Sequence, residues 1–121
     1  MSDPQTLAAR YIAAWNETDA QHRKTILAEG WTEGATYLDP MMQAKGHEEI
    51  GAMIGAVHER FPGFRFSLDG AVDGYGDQIR FSWALGPAGG EGLVKGTDFA
   101  VVEGGRLKSV TGFLDLVPAR V

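Results

Sequence analysis

The chain predicts an α+β fold, with three N-terminal helices packed in the mouth of a strongly curved, antiparallel or mixed sheet. Three observations carry that expectation. Apolar residues recur at helical spacing as far as Phe61, and from Phe64 onward they alternate with polar ones. Turn residues then cut the alternating part into long neighbouring strands. Helices first and strands last make a segregated arrangement rather than an alternating one.

The elements follow in order. Asp3-Pro4 starts a helix, because Asp caps free amide groups and Pro has no amide to leave unpaired in the first turn. Leu7, Tyr11, Ala14 and Trp15 share one face of it, with Ala8 and Ile12 beside them. Thr18-Asp19 restarts a helix that carries Ile26 and Leu27 and stops near Gly30. Residues 34–40, GATYLDP, read as a short strand, because Pro40 keeps Asp39 extended. A third helix opens at Gly46 with Glu48 and Glu49 in its first turn, where the helix dipole favours acids. Its stripe is Ile50, Met53, Ile54, Val57 and Phe61, and Pro62-Gly63 ends it. Strands follow through Phe64–Leu68, Ile79–Leu85, Gly92–Val102 and Arg106–Val117, separated by turn signals at Asp73-Gly74, Pro87–Gly90 and Gly104-Gly105.

Composition bounds the function. At 121 residues, with 44% hydrophobic and 22% charged side chains, the sequence is that of one globular domain spanning residues 1–121, with its core at about 4–117. A net charge of −5 and scattered Lys and Arg argue against nucleic acid or anionic membranes as partners. With no cysteine there is no disulfide, thiolate metal site or Cys nucleophile. The first fifteen residues do not form a signal peptide and no stretch is long enough to span a bilayer, so a cytoplasmic location is expected.

Several attractive motifs fail on context. The glycine-rich stretches join strand to strand, whereas a phosphate cradle needs a helix after it. Gly51 and Gly55 have membrane-dimer spacing, yet close packing of helix on sheet explains them better. His22, His47 and His58 lack metal-binding spacing and read as surface or helix-end residues, so no metal or cofactor is expected.

Three polar groups stand out. Asp98 alternates with Val94, Gly96, Ala100 and Val102, and so faces the apolar side of its strand. A carboxylate there must be hydrogen-bonded or protonated. Tyr37 and Asp39 share a face, two residues apart on a strand. Tyr11 lies on the apolar face of the first helix, where its hydroxyl needs an internal partner. Each has a structural reading too. Tyr11 is then a core tyrosine, Asp39 caps the turn after it, and Asp98 accepts from hydroxyls or a Trp amine.

The ordered segments ARYIAAWNETD, ATYLDP, GHEEI, RFPGFRF, GTDFAVV and GFLD resemble the nuclear transport factor 2-like superfamily, in particular its SnoaL-like members. The resemblance spans about Asp3 to Val117. It implies a cone, in which a curved sheet wraps a helix and leaves a pocket for a small apolar molecule. It also implies a homodimer formed through the sheet, whose outer face is rich in Phe, Val and Leu.

Within the superfamily the ketosteroid isomerase branch is similar at Arg10-Tyr11, Asp39-Pro40 and Asp98-Phe99. That similarity implies cofactor-free proton transfer next to a carbonyl, of isomerase or cyclase type. Asp39 would be the base, and Tyr11 and a protonated Asp98 the donors to the enolate oxygen. The ligand pocket would be walled by Trp15, Met53 and Phe61 from the helical half. Trp31, Tyr37, Phe66, Phe81, Trp83 and Phe113 would wall it from the sheet, with Asp115 as a further acid. An active pocket would enclose on the order of several hundred Å³. The alternative is a non-catalytic ligand-binding or dimerisation module plugged by Trp15, Trp31 and Trp83. Epoxide-hydrolase chemistry, a second alternative, needs an acid where this chain has Gly112.

Overall fold

Asp3 caps the first helix as expected, its carboxylate accepting from the Thr6 amide at 2.8 Å. The computed structural model describes residues 3–117; Met1, Ser2 and residues 118–121, the ends of the expected domain, lie outside the described residues. Helix α1 (Pro4–Asn16) buries Leu7, Ala8, Tyr11, Ile12, Ala14 and Trp15. Helix α2 (Ala20–Gly30), capped by Asp19, buries Arg23 and Leu27. Helix α3 (Gly46–Arg60) buries Ile50, Met53 and Ile54.

The buried Arg23 guanidinium donates to the carbonyls of Glu17, Thr18 and Gly51, and so ties the α1–α2 connection to α3. A methyl group on Gly55 would come within 3.2 Å of Arg23 Nη1, and one on Gly51 within 3.5 Å of Leu27 Cδ1. These two glycines therefore seat α3 against α2. The packing is helix on helix, not helix on sheet as the sequence suggested.

The strands are β1 (Trp31–Leu38), β2 (Gln43–Lys45), β3 (Phe64–Leu68), β4 (Asp73–Tyr75), β5 (Gln78–Pro87), β6 (Val94–Glu103) and β7 (Arg106–Leu116). They form one sheet in the order β2-β1-β7-β6-β5-β3, with β4 also paired to β5. The run β5-β6-β7 is the expected antiparallel meander, closed by a two-residue turn in which Gly104 and Gly105 both have positive φ. Strand β1 lies parallel to β7, so the sheet is mixed. Register shifts in the β1–β7 and β6–β7 ladders bend the strands, and the curved sheet wraps around α1.

Three details depart from the sequence reading. Strand β1 begins at Trp31, directly after α2, rather than at Gly34. Asp73 and Gly74 lie within β4, and the chain reverses at Gly76-Asp77 instead. Strand β2 has three residues, too few for a period to show. The concave face and the helices enclose the core, where Trp31, Phe81, Leu27, Ile50 and Ile54 are almost fully buried together with Asp98. Among the described residues no helix is long and apolar enough to cross a membrane.

Candidate functional site

Alternation along β6 points Asp98 into the concave face, where it is 1% exposed. The Tyr11 hydroxyl of α1 donates to its Oδ2 at 2.5 Å, and the Trp83 indole of β5 donates to its Oδ1 at 3.1 Å. The indole reaches across because Gly96 lies opposite Trp83 in the β5–β6 register. A methyl group at Gly96 would overlap the Trp83 ring at 2.3 Å, so the bare backbone makes room for the donor. Behind Tyr11, the rings of Phe81 and Trp31 fix the phenol, with centroids 4.9 and 5.7 Å away.

Asp39, at the end of β1, is held differently. Its Oδ2 accepts from the Tyr37 hydroxyl at 2.7 Å, and its Oδ1 accepts from the amides of Met41 and Met42 at 2.8 and 2.9 Å. The turn-capping use of Asp39 is therefore present. It fills three of a carboxylate's roughly four acceptor positions and leaves one open. The two acids converge on either side of Gly112 in β7. A methyl group there would lie 2.7 Å from Asp98 Oδ1 and 3.4 Å from Asp39 Cβ. The Asp98 carboxylate thus fills the space that a side chain at position 112 would enter.

A cavity of about 80 Å³ opens beside these groups. Tyr11 and Trp15 of α1 line it, with Tyr37 and Asp39 of β1 and the following turn, and Trp83 and Leu85 of β5. Met41, Met42, Val57, Phe61, Phe66 and Leu114 complete the wall. Asp98 stands behind Tyr11 and Trp83 and does not line it. A larger groove, about 410 Å³, lies between α1, α2 and the β6–β7 turn; it meets Arg10 and Glu29 and reaches neither Asp39 nor Asp98.

Several expected wall residues are elsewhere. Trp31, Met53 and Phe81 belong to the packed core and do not line the 80 Å³ cavity. Phe113 is 55% exposed on the outer face, its ring edge-on to Phe99, because Gly112 and Leu114 take the inward positions. Asp115 is also on the outer side. The register shift between the Val101 and Val102 pairs flips the alternation after Leu107, so Asp115 shares the outer side with Phe113, and its carboxylate accepts from Thr97 Oγ1 at 2.7 Å. The cavity is smaller than the several hundred Å³ expected of an active pocket, because Trp15, Phe66 and Trp83 pack together across it. Sequence reasoning missed Met41, Met42, Val57, Leu85 and Leu114 as wall residues. The inward alternation of β5 was the available signal for Leu85, whereas the methionines sit in a turn with no period.

Burial pushes the Asp98 carboxyl up from 3.8 to about 6; the bonds from Tyr11 and Trp83 oppose this, and the charges of Asp39 and Asp115 add to it. The Tyr11 phenol is raised well above its ordinary value by burial first and the Asp98 charge second. Tyr37 is raised too, by burial and then by the Asp98 charge and the bond to Asp39. The protein can therefore hold one acid neutral at mildly acidic pH, beside a second acid with an open acceptor position. Among the described residues no cluster of three acids and histidines could hold a metal ion.

The stability consequence has a definite sign. Between about pH 4 and about 6 the folded chain keeps the Asp98 proton that the unfolded chain has released. Stability from this group therefore falls as pH rises through that window, by roughly 3 kcal/mol, and is level above it. Asp98→Asn keeps the shape and removes the titration. Denaturant unfolding at several pH values should show the variant gaining on the wild type from pH 4 to 6, and parallel profiles would contradict this.

The SnoaL-like domain family model matches residues 8–110 of the chain. A candidate isomerase of the SnoaL-like family from Agrobacterium tumefaciens str. C58 is 43% identical, with a TM-score of 0.90 over 95% of this chain and 99% of that one. A candidate ketosteroid isomerase from Kribbella flavida DSM 17836 is 18% identical, with a TM-score of 0.70 over 96% of this chain and 80% of that one. An NTF2-like protein of unknown function from Cytophaga hutchinsonii ATCC 33406 is 16% identical, with a TM-score of 0.70 over 95% and 92%. None of the curated proteins compared matches the sequence. The fold is thus the NTF2-like cone, and with a family model spanning most of its length the chain belongs to the SnoaL-like family.

Proposed function

We propose that the cavity binds a small apolar carbonyl compound and moves a proton on the carbon next to its carbonyl, without a cofactor. The observation that supports this reading is the placement of Asp39 and Tyr11 on one cavity wall with Asp98 behind the phenol. Asp39, ionised and with an acceptor position open, takes the proton from carbon. The electron pair moves onto the carbonyl oxygen, which accepts from Tyr11. The proton then returns from Asp39 to a different carbon, so atoms and charge balance and the net change is an isomerisation.

The role assigned to Asp98 changes from the one the resemblance implied. Both of its oxygens are engaged, one by Tyr11 and one by Trp83, so it reaches a ligand only through the phenol. When Asp98 is ionised, the Tyr11 proton points at it. When Asp98 carries a proton, that proton goes to the Tyr11 oxygen and the Tyr11 hydroxyl turns toward the cavity. Asp98 is therefore a positioning residue. Its donor-enabling form is lost as pH rises through about 6.

A second reading is a non-catalytic module, favoured by the small volume and by an exposed apolar outer face. Leu38, Phe99, Phe113 and Leu116 lie on that face, each more than 40% exposed. In both readings a second copy of the chain covers it. Phe113→Asp should turn a sedimenting dimer into a monomer; a wild-type chain that is monomeric at every concentration contradicts the dimer.

The deciding assay follows a β,γ-unsaturated cyclohexenone becoming its conjugated isomer, read by ultraviolet absorbance. Asp39→Asn should lower the rate about 10²- to 10⁴-fold. Turnover that survives this change would remove Asp39 from the chemistry, and no turnover by the wild type would favour the non-catalytic module.

A further inference from the structure

Trp15 carries a polar group that the acid–base reading does not use. Its ring is packed between Tyr37 and Phe66, with centroids 5.6 and 5.2 Å away, and the residue is 3% exposed. Its Nε1–H is buried and makes no hydrogen bond of good geometry, although it lies near enough to the Tyr11 hydroxyl to favour the ionised phenol slightly. The indole lines the 80 Å³ cavity. The contrast with Trp83 is direct, since that indole is committed to Asp98. Buried indole N–H groups find acceptors as a rule, so an orphan on a cavity wall points to an acceptor that arrives with a ligand.

Trp15 follows Tyr11 by four residues, one turn along α1, so the two side chains stand on the same helix face. Both line the cavity. No Lys or Arg does, and Asp39 places negative charge on the wall, so an anionic ligand meets repulsion with no compensation. The rest of the wall is Met, Val, Leu and aromatic side chains. A volume of about 80 Å³ is only about half the 150 Å³ apolar cavity that takes up benzene, so the enclosed part of a ligand is its carbonyl end, with less than a full ring beside it.

We infer that Trp15 Nε1–H is a second hydrogen-bond donor to the ligand's carbonyl oxygen, and that the site takes neutral mono-carbonyl compounds of single-ring size. The carbonyl oxygen sits between the Tyr11 hydroxyl and the Trp15 indole, and the ring lies against the apolar wall toward the mouth. This rests on the reading of the cavity as a carbonyl site, and it narrows the ligand class. A four-ring steroid is too large for the space that Trp15, Phe66 and Trp83 leave. Trp15 selects for an acceptor atom and excludes pure hydrocarbons of the same shape.

The test observes the indole N–H signals of Trp15, Trp31 and Trp83 by nitrogen-15 NMR while conjugated cyclohexenone is added to the wild-type protein. The Trp15 signal should move downfield and saturate. Cyclohexene at the same concentrations should leave it in place, and a steroid enone should not bind. Trp15→Phe, which keeps an aromatic ring, should weaken cyclohexenone binding roughly tenfold, the size of one neutral hydrogen bond. The wild-type titration stands even where that variant fails to fold. A Trp15 signal that stays still at high cyclohexenone, or one that a steroid shifts with saturation, overturns the inference. Saturable movement of Trp15 without any isomerisation of the β,γ-enone supports this site while removing the proton-transfer reading.

Discussion

A buried carboxylate without a cation beside it constrains the rest of this molecule. Asp98 lies deep in the concave face and is satisfied by a phenol and an indole. Neutral donors stabilise a carboxylate less than an Arg or Lys would, so the burial term wins and the proton is held into the mildly acidic range. The neighbourhood is shaped to permit this. Gly96 yields its side-chain space to the Trp83 indole and Gly112 yields its own to the Asp98 oxygen. The curved sheet brings β6 over α1, where Tyr11 meets it. Helix, strand and two missing side chains thus serve one interaction.

The same arrangement separates two carboxyl groups that lie within a few atoms of each other. Asp39 is in a turn at the cavity rim, bonded by two amides and a phenol, while Asp98 is sealed behind the wall. Environment, not residue type, sets the two apart. The indoles that close the space limit what enters. A cone that could hold a large cavity holds a small one, because three aromatic side chains meet in its mouth.

Much of this was legible in the sequence because it depends on local periods. Strict alternation from Val94 to Val102 placed Asp98 inward, and helical spacing placed Tyr11 and Trp15 together. Even the kind of partner for Asp98, a hydroxyl or a Trp amine, follows from the chemistry of a buried acid. Its identity does not, because pairing Trp83 with Gly96 requires the register of two strands. Asp115 and Phe113 were misplaced for a related reason. One shifted residue in β7 turns side chains to the other face, and a bulge leaves little mark on the sequence. The parallel β1–β7 pair and the cavity volume depend on long-range packing that no local pattern records.

The most direct test of this account is the carbon-13 titration of the Asp98 carboxyl, in the wild type and in Tyr11→Phe. The account predicts a wild-type midpoint near 6, and a higher one once the phenol's bond is gone, since that bond favours the ionised form. A wild-type midpoint near the ordinary 3.8, unmoved by Tyr11→Phe, would show that Asp98 is neither dry nor coupled to Tyr11.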